Sequence, residues 1–157
     1  MTIAIYPGSF DPVHLGHVRI VENAAKIFEQ IIVVAMENRE KKGFLSLVNR
    51  QELLAKTFGH LDNVIVDSSS GLVVDVAKAL NADVIIKGLR SSADFEIEMQ
   101  MAQTNKKISQ ISTVFIPTEP EYSYISSRFI REIAAAGRDV SELVPDVVSY
   151  FLEHGNG

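Results

Sequence analysis

Residues 3–17, Ile3-Ala4-Ile5-Tyr6-Pro7-Gly8-Ser9-Phe10-Asp11-Pro12-Val13-His14-Leu15-Gly16-His17, join a short apolar run to a turn and then to two histidines. The run Ile3–Tyr6 reads as a strand. The segment Gly8–Pro12 reads as the turn leaving it, because Gly, Asp and Pro each favour turns for backbone reasons. Taken alone, such a turn is ordinary connection. Followed by His14, Gly16 and His17 at the start of an amphipathic helix, it becomes a place where backbone donors, a helix N-terminus and imidazole donors converge, which is what a phosphate group requires. Gly16 permits close backbone approach, and the His-x-Gly-His spacing brings both imidazoles to one end of the helix. The stretch points to an enzyme acting on a nucleoside triphosphate.

Outward from this junction, apolar strands alternate with helical patterns. Ile3–Tyr6, Ile31–Met36, Val64–Val66, Val84–Lys87 and Thr113–Ile116 are rich in Val and Ile and nearly continuous in apolar character, as buried parallel strands are. Between them Val18, Val21, Ala25 and Phe28 mark one helical face, Leu47, Leu54 and Phe58 a second, and Val73, Val76, Ala77 and Leu80 a third. After Asp94, the run Phe95–Ala102 is helix-forming and ends in the polar stretch Asn105–Lys107, with Met99 and Met101 read as packing residues. Ser126 or Ser127 caps a helix carrying Arg131, Ile133 and Ala134, and Gly137 stops it. Pro145 and Asp146 open a last helix through Leu152, and His154–Gly157 form a frayed tail. The alternation predicts an α/β fold, a doubly wound five-stranded parallel sheet with C-terminal helices. Ligands in such sheets bind outside the carboxyl ends of the strands, where strand order reverses.

Composition sets the bounds. The 157 residues are 46% hydrophobic, enough for one domain with a real core, so 1–157 is read as a single domain. With no cysteine there is neither a disulfide framework nor a thiolate metal site, which fits a reducing, cytoplasmic setting. No signal-peptide pattern or apolar run of membrane-spanning length is present, so no membrane association is expected. Fifteen basic against twenty acidic residues give a net charge of −5, which argues against a nucleic-acid partner. Anionic ligands must then be held by a few focused cations and backbone N–H groups. Neither a GxGxxG turn nor a GxxxxGK[ST] loop occurs, which leaves oxidoreductase and P-loop readings without support.

Three motifs in order carry a resemblance. His14-Leu15-Gly16-His17 after Gly8–Pro12 is similar to the T/HxGH motif of the nucleotidyltransferase superfamily, and Ile125-Ser126-Ser127-Arg128-Phe129-Ile130-Arg131 to its ISSTxxR-like motif. Between them stand Lys87-Gly88-Leu89-Arg90 and Ala93–Gln100. The set resembles the bacterial phosphopantetheine adenylyltransferase family from about residue 2 to about residue 150. The resemblance implies a Rossmann-like sheet and transfer of adenylyl from ATP to 4′-phosphopantetheine, giving dephospho-coenzyme A and pyrophosphate. It also implies Mg2+ carried by the ATP phosphates, a homohexamer, and inhibition by coenzyme A. No protein-based metal cage is evident in the ligand spacing.

Residue by residue, the resemblance makes His17 the catalytic donor to the α-phosphate. His14, Ser9 and Phe10 become ATP contacts, with Ser9 also near the acceptor. Gly88, Leu89, Arg90 and Glu98 carry over to the ATP site, as do Tyr122, Ser123, Tyr124, Ile125, Ser126, Ser127 and Arg128. Lys41, chosen over Lys42 by register, Val73 and Lys87 carry over to phosphopantetheine. Several have a plainer alternative: a turn-stabilising hydroxyl for Ser9, a solvated charge pair for Lys41 and Lys42, helix core for Val73, an ion pair with Asp94 or a nearby Glu for Arg90, and for Arg128 solvent or an acidic neighbour such as Glu132. Two departures from the family pattern stand out. Ile97 replaces the Tyr of DFEYE, and Arg128 replaces a third Ser. Other acceptors of the superfamily, nicotinate mononucleotide or glycerol 3-phosphate, fit the histidines but not Lys87–Arg90 and Asp94–Glu98. A nucleotide sensor without turnover and a purely structural oligomer leave the clustered polar motifs without a purpose.

Overall fold

A computed structural model describes residues 1–155; Asn156 and Gly157 of the expected tail lie outside them. Five parallel strands, β1 (Ile3–Gly8), β2 (Gln30–Glu37), β3 (Val64–Ser70), β4 (Val84–Leu89) and β5 (Ser112–Pro117), form one sheet in the order β3-β2-β1-β4-β5. The chain starts in the middle, winds to one edge, then returns past β1 and winds to the other. Strand order therefore reverses between β1 and β4, as a doubly wound sheet requires.

Burial on both faces explains the continuous apolar runs of β1, β2 and β4, whereas β3 and β5 lie at the sheet edges and are less buried than their apolar character suggested, Ile65 being exposed. Alternate residues point to opposite sides. Ala4, Tyr6, Ile31, Val33, Ala35, Ile86 and Ile116 join one core, and Ile5, Ile32, Val34 and Ile85 join the other. The first core is covered by α1 (Leu15–Ala24), α2 (Leu47–Phe58), α5 (Ser127–Ala135) and α6 (Asp146–His154) through Ile20, Val21, Leu53, Leu54, Phe58, Ile130 and Val148. The second is covered by α3 (Val73–Ala79), with Val74, Val76 and Ala77 buried. Ser126 is the cap of α5, accepting from the Phe129 N–H. Gly137 takes a positive φ of 75° just past its end. The last helix continues through His154, so the tail begins later than the sequence suggested.

Two elements depart from the apolar pattern. β3 runs four residues past Val66 because Asp67–Ser70 pair their backbones with Val34–Glu37, and backbone pairing needs no apolar side chain. The helix α4 (Ser92–Ser109) is longer than Phe95–Ala102. Ser91 caps it, and Lys106 and Lys107 occupy its last turn, where cations favour the helix dipole. None of its residues is buried, and Met101 is exposed, so Met101 does not pack within this chain as expected. Among the described residues no helix is long and apolar enough to cross a membrane.

Leu54 is fully buried against this frame while Val48, on the same helix, is 66% exposed. Leu54→Ala is expected to cost about 2–5 kcal/mol by lost transfer energy and the cavity left behind. Val48→Ala should stay within about 0.5 kcal/mol of the parent. Urea unfolding of both variants checks the contrast.

Candidate active site

A cleft of about 470 Å3 opens at the carboxyl ends of β1 and β4, at the reversal point. Tyr6, Pro7, Ser9 and Phe10 line it from the end of β1 and the turn after it, and His14, Gly16, His17 and Ile20 from the start of α1. Lys87, Gly88 and Arg90 come from the end of β4, Glu98 from α4, Thr118 and Tyr122 from beyond β5, and Ser126, Ser127, Arg128 and Arg131 from the start of α5.

The two histidines begin α1 as its cap. The first N–H groups of a helix have no partner within it. Here His14 Nδ1 accepts from the Gly16 N–H at 3.0 Å, and His17 Nδ1 accepts from the His14 N–H at 3.1 Å. A nitrogen that accepts from an amide carries no proton, so each neutral ring bears its proton on Nε2 and keeps a donor to offer. The rings stack at 3.7 Å, and Phe10 packs edge-on to His17 at 4.9 Å. Gly16 is required by this arrangement, since a Cβ there would lie 2.8 Å from His14 Cε1. The close approach anticipated at Gly16 is thus to the His14 ring. Burial pushes the His14 pKa down to about 3, helped by the Arg90 charge. Burial, His14 and Arg90 together hold His17 well below the usual imidazole range.

Cations ring the rest of the cleft, each engaged within the protein. Lys87 Nζ lies 3.6 Å from the Glu98 carboxylate. Arg90 donates to the Ile125 carbonyl at 3.1 Å and pairs with Asp94 at 3.4 Å. Arg128 pairs with Glu132 at 3.5 Å while lining the cleft, and Arg131 donates to the Asp11 carbonyl at 3.0 Å. Both ion pairs anticipated as plainer alternatives, Arg90–Asp94 and Arg128–Glu132, are formed. Such exposed pairs are weak, so a polyphosphate can replace the carboxylates without a large penalty.

Of the residues singled out from the sequence, the fold brings Ser9, Phe10, His14, His17, Lys87, Gly88, Arg90, Glu98, Tyr122, Ser126, Ser127 and Arg128 to the cleft. Lys41 and Lys42 are exposed on the loop after β2, outside its lining. Val73 packs with the core of the opposite sheet face. Ile125 is buried and serves through its carbonyl. Leu89, Ser123 and Tyr124 also lie outside the lining, Tyr124 being well exposed. Arg131 was missed as a site residue, although it stands four residues after Ser127 and so on the same helix face. Tyr6, Pro7, Ile20 and Thr118 were missed too; strand ends and helix spacing are the signals that pointed there. Among the described residues no group of three His, Asp or Glu side chains is placed to hold a metal.

Comparison with known proteins adds to this geometry. The profile of the cytidylyltransferase-like family matches residues 5–133. A phosphopantetheine adenylyltransferase from Caldanaerobacter subterraneus subsp. tengcongensis is 47% identical over 150 residues, covering 95% of this chain and 94% of that protein. The crystal structure of a proposed nicotinate-nucleotide adenylyltransferase from Vibrio parahaemolyticus superposes with a TM-score of 0.67 over 98% of this chain and 100% of that one. At 20% identity it supports the fold alone.

The lowered histidine pKa values have a sign that can be tested. As the pH falls, the unfolded chain takes up protons near 6.5 while the folded rings stay neutral. The stability tied to the neutral rings is therefore complete above about 6.5 and is lost progressively as the pH falls toward the folded values. Imidazole NMR signals of His14 and His17 should not titrate between about pH 5 and 8. Urea midpoints should fall over that range less steeply in His14→Asn, which keeps an acceptor for the cap. A ring that titrates near 6.5 would contradict the lowered value.

Proposed function

The chain belongs to the phosphopantetheine adenylyltransferase family of the cytidylyltransferase-like proteins, and from that membership we propose that it transfers adenylyl from ATP to 4′-phosphopantetheine, forming dephospho-coenzyme A and pyrophosphate. The observation that carries the reading is the pair of histidines fixed as Nε2–H donors beside Lys87 and Arg90 at the reversal point.

In this reaction an oxygen of the acceptor phosphate forms a bond to the α-phosphorus of ATP. The bond from that phosphorus to its bridging oxygen breaks, and the electron pair leaves with pyrophosphate. The nucleophile is already anionic near neutral pH, its second pKa lying near ~6, so no protein base is required. The histidines are suited to the other task. With Nδ1 occupied they do not accept a proton, but through Nε2 they stabilise charge building on the α-phosphate oxygens. In this reading His17 is the catalytic donor and His14 supports the ATP phosphates. Ser9, Ser126, Ser127 and the N-terminus of α5 provide further donors. Arg90, Arg128 and Arg131 balance the polyphosphate, and Lys87 holds the acceptor phosphate as a point charge, exchanging it for Glu98. The task of the protein is alignment of two anions that repel each other.

A Mg2+ ion bound by the ATP phosphates themselves would neutralise part of their charge, and no group of protein carboxylates is assigned to it. The apolar side chains of Phe95, Ile97, Met101 and Ile108 exposed on α4 support self-association, read with the family as a homohexamer. Coenzyme A shares the pantetheine arm of the acceptor and is read as a feedback inhibitor competing there. Residues 1–157 are taken as one nucleotidyltransferase domain, acting in the cytoplasm.

Purified protein given ATP, Mg2+ and a panel of phosphorylated acceptors should release pyrophosphate and form dephospho-coenzyme A only with phosphopantetheine. Product from another acceptor alone would displace the reading. His17→Ala should lower kcat by roughly 10²–10³ with much smaller changes in substrate binding. At the loop after β2, Lys41→Ala should raise the KM for phosphopantetheine far more than Lys42→Ala. Equal losses or the reverse order would move the acceptor-binding role away from Lys41.

A further inference from the structure

The turn after β1 is joined to the loop carrying Lys41 and Lys42 by two hydrogen bonds to Asp11, and Arg50 adds two more that bridge the turn to the end of β2; both Asp11 and Arg50 are buried. The Asp11 carboxylate accepts from the backbone N–H of Phe44 at 2.8 Å and of Leu45 at 2.7 Å. The Arg50 guanidinium, projecting from α2, donates through Nη1 to the carbonyls of Ser9 at 2.9 Å and Met36 at 3.1 Å. Asp11 is 8% and Arg50 6% exposed, so both are committed to these bonds and shielded from water. Met36 lies near the end of β2, just before the lysine loop departs, and Phe44 and Leu45 lie where it returns. Both ends of the loop are thus tied to residues 9–11.

The same short turn is held from the other side. The Asp11 carbonyl accepts from Arg131, and the Pro12 carbonyl from the Ser127 hydroxyl at 2.8 Å. Space at the junction is minimal. A Cβ on Gly43 would lie 2.8 Å from the Leu45 carbonyl oxygen, 3.3 Å from Asp11 Oδ2 and 3.6 Å from Arg50 Nη2. Residues lining the nucleotide cleft and the loop bearing the acceptor lysines therefore meet at one carboxylate. Charge-assisted bonds from backbone N–H groups to a buried carboxylate are strong and directional, so the loop takes its position from the turn.

We propose that Asp11 is a positioning residue for the acceptor: its carboxylate fixes the Lys41–Lys42 loop to the nucleotide turn, so that the acceptor phosphate is presented in register with the ATP held beside it. The inference rests on the adenylyl-transfer reading for what the loop binds, though not for how the loop is held. Arg50 acts in the same way from the outer side of the turn.

The test uses Asp11→Asn, which retains one acceptor oxygen, and Asp11→Ala, which retains none. The expected result is a KM for phosphopantetheine raised roughly tenfold in Asn and further in Ala, the loss of one and then two charged hydrogen bonds. The KM for ATP should change by less than about twofold. Without any substrate, hydrogen exchange at the Phe44 and Leu45 amides should accelerate by roughly tenfold or more in Asn, with β1 and β2 amides unchanged. Should Asp11→Ala not fold, Gly43→Ala crowds the same junction from the loop side and must give the same pattern. Equal rises in both KM values, lowered melting temperature with no KM split, or unchanged exchange at Phe44 and Leu45 would each overturn the proposal. If the parent protein uses another phosphorylated acceptor, the functional reading fails. The KM split is then read with that acceptor, and the exchange experiment decides the loop's attachment as before.

Discussion

The start of α1 must find partners for backbone N–H groups that no helix can satisfy internally. Here imidazole nitrogens supply them in place of the usual hydroxyl or carboxamide. That choice settles the tautomer of both rings, turns their remaining N–H toward donation, and forbids a side chain at Gly16. Burial then keeps them neutral. One local constraint, satisfaction of a helix end, determines which proton each histidine owns and hence what kind of chemistry it can do.

The sheet places that helix end where other donors can reach it. β1 and β4 are neighbours although three helices and two strands separate them in sequence, so the turn after β1 faces Lys87, Gly88 and Arg90 directly. The start of α5 is drawn to the same edge by Ser127 and Arg131, which bond to the carbonyls of Pro12 and Asp11. A second network works behind it. Arg19, two residues past His17, bonds Glu22 at 2.8 Å and Glu119 at 2.9 Å, tying α1 to the segment that carries Thr118 and Tyr122. Lys87, Arg90 and Arg128 are thus paired with single carboxylates at the cleft, while Arg131 and the neutral donors are fixed by backbone groups.

What was legible in the sequence follows the same division. Strands announce themselves by continuous Val and Ile, and all five were found along the chain, though their order in the sheet and the partial exposure of β3 and β5 at its edges were not. Helix faces with regular apolar spacing were equally clear. The polar half of β3 was invisible, because Asp67–Ser70 are in the sheet by backbone pairing alone. The exposure of α4 was invisible too, because an apolar stripe reads identically whether its cover is this chain or another. In the cleft, contiguous motifs identified most of the lining, while Ser123, Tyr124 and Ile125 of the same segment lie outside it, since a matching segment does not say which of its residues turn inward. Arg131 was overlooked for the converse reason: its relation to the site lies in helical spacing, outside any contiguous match. Asp11 stands inside the Gly8–Pro12 turn and was read there only for its backbone preference, and its bonding to the Phe44 and Leu45 amides, like that of Arg50 to carbonyls, emerges only once the fold closes.

Neutral histidines suit anion alignment better than charged ones would. A buried imidazolium costs free energy unless an anion sits beside it, so a site built on charged histidines would need its substrate in place to hold its shape. Rings kept neutral by burial and fixed by backbone N–H groups hold their geometry through bonds within the protein, without an anion beside them. Positive charge is supplied instead by lysine and arginine, which lie nearer to water and, in the function proposed above, would exchange a carboxylate for the substrate anion. In the proposed reaction, separating attraction from transition-state stabilisation in this way would let the acceptor phosphate set its own ionisation, with the protein adding position and donors but no base.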